Sequence, residues 1–388
     1  MSTPRLRFVL AVVLGALFGL GVGIAWLGWR DAGSSVAADE GDGPRPAATS
    51  PSAPAPGSSE PAADSSAPAA DSSVSAAGSS PTSDGGKGAG KPSVLFTAGG
   101  DLGAQRGAIE TLGHLRDLAP RVHLLLGDLA YQDLQPEASW CEFVLRHAGR
   151  DLPIEVVSGN HEDDNGGDGH ITNFVGCMAD RMDSVGEYGI QYSFDIDELV
   201  RVVMITPDIK IEGKRRDYDP GSPERAWLDD AITGARADGI PWVVVGMHKN
   251  CVTMGVKGCE IGPGLVQYLI DTKVDLILQG HEHNYQRAKQ LSCVKVDLYD
   301  PACVVDDGAD AEYAKGAGPV LVINGSSGDH GLVKLDPADP EAGYFVVGSG
   351  RDDPGSGAGV LEIEATTDEL SVAYVSTTGS FKDAFVIR

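Results

Sequence analysis

Five short blocks of Asp, Asn, His and Tyr, each placed directly after an apolar run, constrain this chain more than any other feature. They are Gly100-Asp101-Leu102-Gly103, Gly127-Asp128-Leu129-Ala130-Tyr131, Gly159-Asn160-His161-Glu162, Val245-Gly246-Met247-His248 and Gly280-His281-Glu282-His283. The runs at 94–97, 122–126, 154–157, 200–205, 242–245, 274–278 and 320–323 are short and rich in β-branched residues, the pattern of strands covered on both faces. Helical stretches at 106–118, 224–237 and 264–272 separate some of them, each near a Gly or Pro boundary. Strand, polar block, helix, strand in repetition predicts a layered α/β core with its ligands at the carboxyl ends of the strands. The tail differs. Residues 360–364 and 370–375 alternate apolar with other residues around a Thr-Thr-Asp turn, and 385–387 follow, which predicts a C-terminal antiparallel β meander.

The core-forming sequence is confined to about residue 93 onward. Residues 31–92 are nearly all Ala, Ser, Pro, Gly and Asp, too poor in large apolar side chains to offset ordering entropy, and read as a disordered linker. Before it, residues 8–29 form an apolar stretch close to the roughly 20 residues that span a bilayer. Arg5 and Arg7 precede it, and Trp26 and Trp29 lie where interfacial aromatics belong. Residues 1–30 are therefore expected to be a transmembrane signal anchor, with a cleaved signal peptide ending near Ser35-Val36-Ala37 as the alternative. Either reading exports residues 93–388 to a cell-membrane-attached extracytoplasmic or secreted location. Gly15, Gly19 and Gly23 repeat every fourth residue and make a homodimer through that helix conceivable.

A formal charge of −26 argues against a nucleic-acid partner, since phosphate backbones are held by clustered Lys and Arg. Lys214-Arg215-Arg216 is the one compact basic run beyond the N-terminus and reads as a solvated loop. All six cysteines fall in the exported region, where disulfides form. Six cysteines allow 15 pairings and sequence does not choose among them. Local closure favours Cys251 with Cys259 and Cys293 with Cys303, leaving Cys141 for Cys177. No Cys-x-x-Cys pair suggests a structural zinc.

The blocks supply hard oxygen donors, imidazoles and a carboxylate able to bridge, which is what two metals about 3.5–4 Å apart require to polarise a phosphoryl group and activate water. A lone Gly-Asp says little, because it is an ordinary strand ending. Gly-His-Glu-His after an apolar strand says much more, because both imidazoles project from one loop. Taken in order, the five blocks resemble those of the calcineurin-like metallophosphoesterase superfamily. They are more similar still to its purple acid phosphatase branch, because Gly103 stands where the superfamily usually has a ligand His, and Tyr131 follows Asp128 by three residues.

The resemblance spans residues 93–388 and implies a four-layer α-β-β-α sandwich. It also implies that Asp101, Asp128, Tyr131 and His283 hold one metal and that Asp128, Asn160, His248 and His281 hold the other, with Asp128 bridging. The cofactors implied are Fe(III) with Fe(II), Zn(II) or Mn(II). A tyrosinate offsets the added charge of ferric iron, leaving a field of about +2 for a phosphate dianion. His161 is implied to be the outer-sphere catalytic residue, contacting the phosphoryl group or protonating the leaving alkoxide, with Glu162 and Asp163 as candidates for orienting it. His170 and Lys249 are candidate substrate contacts. The stretch His248-Lys249-Asn250-Cys251 departs from the family habit of further His or aromatic residues there.

The implied function is hydrolysis of a phosphorylated small molecule, as a phosphomonoesterase using a metal-held hydroxide. Phosphodiester, nucleotide or pyrophosphate cleavage on the same site is the alternative. A non-catalytic surface binding protein is a third reading, disfavoured because every ligand position is filled.

Overall fold

Strand Val200–Ile205 shows how the layers arise. Val200, Val202 and Met204 face one apolar core while Val203 and Ile205 face another, so the alternation of a strand becomes two packed surfaces. The computed structural model describes residues 91–165, 167–328 and 331–388. The expected span at 8–29, its Gly15, Gly19 and Gly23 face and nearly all of the linker lie outside these. Among the described residues no helix is long and apolar enough to cross a membrane.

Two large sheets carry the site. In the first, the parallel strands Val94–Gly99, His123–Leu125 and Ile154–Val156 lie side by side. On the other flank of Val94–Gly99 the sheet continues as an antiparallel meander of Gly359–Ala365, Leu370–Ser376 and Lys382–Ile387. The second sheet is centred on the parallel strands Val200–Ile205, Trp242–Met247, Leu276–Gln279 and Val320–Asn324. Antiparallel Gln191–Ile196 and Tyr285–Leu291 flank them.

One core fills the space between the sheets, with Phe96, Leu124, Leu361 and Val372 from the first meeting Tyr192, Val202, Val244 and Leu278 from the second. Helices Arg106–Leu118, Glu137–Ala148 and Ile171–Cys177 cover the outside of the first sheet through Leu112, Leu115, Trp140 and Phe174. Helices Pro223–Ala237 and Pro263–Asp271 cover the second through Leu228, Ile232, Leu265 and Leu269. These four layers are the α-β-β-α sandwich, and burying each such side chain contributes about 1.5–3 kcal/mol.

Disulfides join Cys141 to Cys177, Cys251 to Cys259 and Cys293 to Cys303. The first staples two covering helices together. The expected basic loop is instead a small hairpin, Lys210–Ile211 with Lys214–Arg215. Its charges are paired, Lys214 with Glu224, Arg215 with Asp208 and Arg216 with Glu187.

Strand Tyr285–Leu291 escaped the sequence pattern because it is polar yet buried. Its Arg287 is neutralised by Asp383 at 2.7 and 3.1 Å, and Gln290 donates to the carbonyls of Ala314 and Gly318 at 2.8 Å.

Candidate metal centre

Within each sheet the parallel strands point their carboxyl ends the same way; four of the blocks begin just past a strand, and the fourth sets His248 directly after Trp242–Met247. Backbone bonds zip the blocks together. Asp101 N donates to Gly127 O at 3.0 Å, Gly103 N to Leu129 O at 2.8 Å, and Gly280 N to His248 O at 3.0 Å. The turns are tight enough that Asp101, Asp128, Tyr131 and His281 all adopt positive φ, at 62°, 50°, 48° and 70°. Such left-handed conformations cost side-chain-bearing residues roughly 1–3 kcal/mol each and cluster at functional sites. Glycines make room for the carboxylates. A Cβ on Gly159 would lie 2.0 Å from Asp128 Oδ1, and one on Gly280 would lie 2.7 Å from Asp101 Oδ2.

Seven of the ten expected site residues converge in two groups that share Asp128. In one, the Tyr131 hydroxyl lies 2.8 Å from Asp101 Oδ1, 3.1 Å from Asp128 Oδ2 and 2.9 Å from His283 Nε2. In the other, His248 Nε2 lies 3.2 Å from Asp128 Oδ1, 3.1 Å from Asn160 Oδ1 and 3.0 Å from His281 Nδ1. Ligand atoms of Asp101, Asp128 and His283, and of Asp128, His248 and His281, lie within 4.8 Å of one another in each set. Asp128 thus turns one oxygen to each group, as a bridging carboxylate would.

The donor chemistry fits cations. Tyr131 has one proton for two carboxylate oxygens. His248 Nδ1 faces the Leu126 carbonyl at 2.9 Å, so it carries the hydrogen in the neutral ring, and the Nε2 lone pair meets those of its neighbours. Burial opposes the charged form of His248, yet Asp128 and Asp101 outweigh it and push the imidazole up to about 9. Burial, with Asp101 and Asp128, raises the Tyr131 phenol far above its ordinary value. A pocket that drives His248 to take a proton and holds two carboxylates against a phenol is short of positive charge.

Around this set stand residues that position it. Fully buried Glu162 accepts from Asp128 N at 3.0 Å, Leu129 N at 2.7 Å and Gly159 N at 2.9 Å, tying the second and third blocks to each other. Its carboxyl therefore does not orient His161, and Asp163 instead caps Asn165 N at 2.7 Å. The partner of His161 Nδ1 is Asp168, which sequence reasoning passed over in favour of acids adjacent to the histidine. His161 keeps Nε2 free to face the cluster, 3.7 Å from Asp128 Oδ2, on a ring one-third exposed. Burial works against its charged form, but Asp128 and Asp168 together raise its pKa.

The two candidate substrate contacts are placed otherwise than expected. His170 caps helix Ile171–Cys177, with Nδ1 2.8 Å from Thr172 Oγ1 and Nε2 3.3 Å from Asp164 Oδ1, and does not join the cluster. Lys249 is buried and its ammonium is taken by Asp208 at 3.0 Å and Glu260 at 2.9 Å, so it is not offered to a phosphate. Glu260 also reaches His281 Nε2 at 2.8 Å. It was missed because only the disulfide-closed loop brings it there, though its place directly after Cys259 was the available signal.

Comparison with known proteins agrees with this architecture. Residues 95–285 match the family model for the calcineurin-like phosphoesterases. Purple acid phosphatase 21 of Arabidopsis thaliana is 28% identical over 259 residues, covering 62% of this chain and 57% of that protein. The Fe(3+)-Zn(2+) purple acid phosphatase 12 of the same plant is 26% identical, covering 71% of this chain and 59% of its own length. The chain thus spans less than two thirds of these relatives. A solved purple acid phosphatase from yellow lupin (Lupinus luteus) seeds superposes with a TM-score of 0.57 at 18% identity, over 77% of this chain and 54% of that one, a likeness of fold. Residues 95–285 are thus similar to the calcineurin-like phosphoesterases, and the relatives named here are purple acid phosphatases.

Proposed function

We propose that the protein is a phosphomonoester hydrolase with a dinuclear centre of Fe(III) and a divalent metal. The observation that carries this reading is Asp128, whose two oxygens face two donor groups, one of which contains a phenol. Asp101, Asp128, Tyr131 and His283 would hold the ferric ion, and Asp128, Asn160, His248 and His281 the divalent one. Bound there, such cations polarise a phosphoryl group and make water a stronger nucleophile.

The chain's own part is proton management and positioning. Asp168 on Nδ1 fixes the His161 ring so that Nε2 points at the cluster, where a protonated imidazole gives its proton to the departing alkoxide. Asp168, paired with Nδ1, favours the protonated ring and so keeps that proton available. The exposed edge of His161 leaves room for a leaving group beside it. Three disulfides and the apolar N-terminal segment support an extracytoplasmic location, secreted or held at the membrane.

The test is purified protein loaded with iron and a second metal. It should show a visible tyrosinate-to-iron absorption that Tyr131→Phe abolishes, and hydrolyse p-nitrophenyl phosphate faster than its bis-ester, with activity lost in Asp128→Asn. A colourless active enzyme with two divalent metals would overturn the ferric assignment. Preference for the bis-ester would move the reading to diester cleavage.

A further inference from the structure

The loop between the fourth and fifth ligand blocks is built as a brace. The Cys251–Cys259 disulfide closes it. Asn250 Nδ2 donates to Gly280 O at 3.1 Å, Gln279 Nε2 donates to Lys249 O at 2.9 Å, and Lys257 N donates to the Glu282 carboxylate at 2.6 Å. These bonds lay the loop along the strip that carries His281 and His283. At its end, Glu260 puts Oε1 2.8 Å from His281 Nε2 and Oε2 2.9 Å from the Lys249 ammonium. Lys249 is held on its far side by Asp208 at 3.0 Å.

His281 is thus gripped at one ring nitrogen while the other, Nδ1, faces His248 Nε2 at 3.0 Å inside the cluster. A carboxylate against Nε2 requires a hydrogen there. The neutral ring then has its lone pair on Nδ1, the atom that faces the centre. Carboxylates in this place fix the tautomer and raise the basicity of the ligating nitrogen.

We propose that Glu260, held in place by Lys249, is a positioning residue that sets His281 to bind the divalent metal through Nδ1. Lys249 accordingly acts on the centre and not on the substrate. The inference rests on the two-metal reading above. It adds an element of the divalent half of the site: a Lys249–Glu260–His281 relay whose first two members flank the Cys251–Cys259 disulfide.

The experiment uses full-length protein carrying iron, titrated with Zn(II) against a chelator, with the visible band reporting the ferric half independently. In Glu260→Ala, zinc affinity should fall about 10- to 100-fold while the visible band stays. Glu260→Gln, which can still accept from Nε2–H, should recover part of that loss. Lys249→Met should weaken zinc by a smaller factor and leave the affinity for inorganic phosphate unchanged once zinc is saturating.

Wild-type zinc affinity in Glu260→Ala overturns the inference. So does joint loss of zinc and the visible band, which would mark a general collapse. Weakened phosphate binding with normal zinc affinity in Lys249→Met would overturn the role given to Lys249 by making it a substrate contact. Failure of the wild-type protein to bind Zn(II), Fe(II) or Mn(II) beside the iron would sink the two-metal reading itself, a result distinct from any of these.

Discussion

Glu162→Gln tests whether the second and third ligand blocks are held by one buried carboxylate. In the native protein Oε2 accepts from Asp128 N and Gly159 N, and Oε1 accepts from Leu129 N. A glutamine placed with its oxygen at Oε2 keeps two of these bonds and turns an NH2 group against the Leu129 N–H. One buried donor left unmatched costs about 1–3 kcal/mol. Replacing charge-assisted bonds by neutral ones adds about 1 kcal/mol, so the variant should be destabilised by about 2–4 kcal/mol.

Urea unfolding of the metal-free protein at pH 7.5, followed by tryptophan fluorescence, reads this directly. Because Asp128 and Gly159 are misplaced together, the affinity of the variant for both metals should also fall. The reasoning has an internal opponent, since burial and Asp128 raise the carboxyl to about 7. A protonated Glu162 would already have a hydrogen pointed at a donor, and glutamine would then be nearly neutral. A loss below about 0.5 kcal/mol with unchanged metal affinity refutes the three-bond carboxylate.

Three further outcomes follow from the same geometry. His161→Asn should lower kcat by about 10²- to 10⁴-fold on an alkyl phosphate and far less on an aryl phosphate with a good leaving group; equal losses on both would remove His161 from the role of acid. Asp168→Asn should show the same leaving-group pattern at smaller size, and losses independent of the leaving group would make Asp168 merely structural. His123 is buried, with Nδ1 on Thr97 Oγ1 at 2.9 Å, and burial pushes it down to about 3. Below pH 6.5 the unfolded chain binds a proton that the folded chain refuses, so stability present at neutral pH is lost as pH falls, by about 1.4 kcal/mol per unit. His123→Gln should therefore flatten the dependence of unfolding free energy between pH 6.5 and 4.5, and parallel slopes in the two proteins would contradict it.

How much was legible before any coordinates follows from how local each cause is. Strand Val200–Ile205 and helix Arg106–Leu118 appear with the bounds their patterns predict, because apolar periodicity is written in adjacent residues. The ligand blocks were legible for a related reason, since metal chemistry restricts residue type and strand ends restrict position. The supporting residues were not. The 3-10 turn Asn160–Glu162 swings Glu162 inward, and Asp164 is drawn to the backbone of Glu212 and Gly213 at 2.6 Å, which leaves Asp168 for His161. Lys249 is an unpaired cation as sequence, and only the fold sets Asp208 and Glu260 on either side of it. Arg287 in a buried strand becomes intelligible only with Asp383 beside it. Each miss concerns a polar group whose partner is supplied by the tertiary fold.

The place of strand Val94–Gly99 also bears on the order in which the molecule can be made. It pairs on one side with His123–Leu125, available early in synthesis, and on the other with Gly359–Ala365, with Val94 opposite Ala365. Until the last stretch of chain arrives, the strand leading to Asp101 is an open edge, the kind of surface that recruits wrong partners. Such end-to-end pairing is slow to form because the loop must close before any contact rewards it. The strand that presents the first ligand block thus gains its second partner only once Gly359–Ala365 has been made, long after the five blocks themselves.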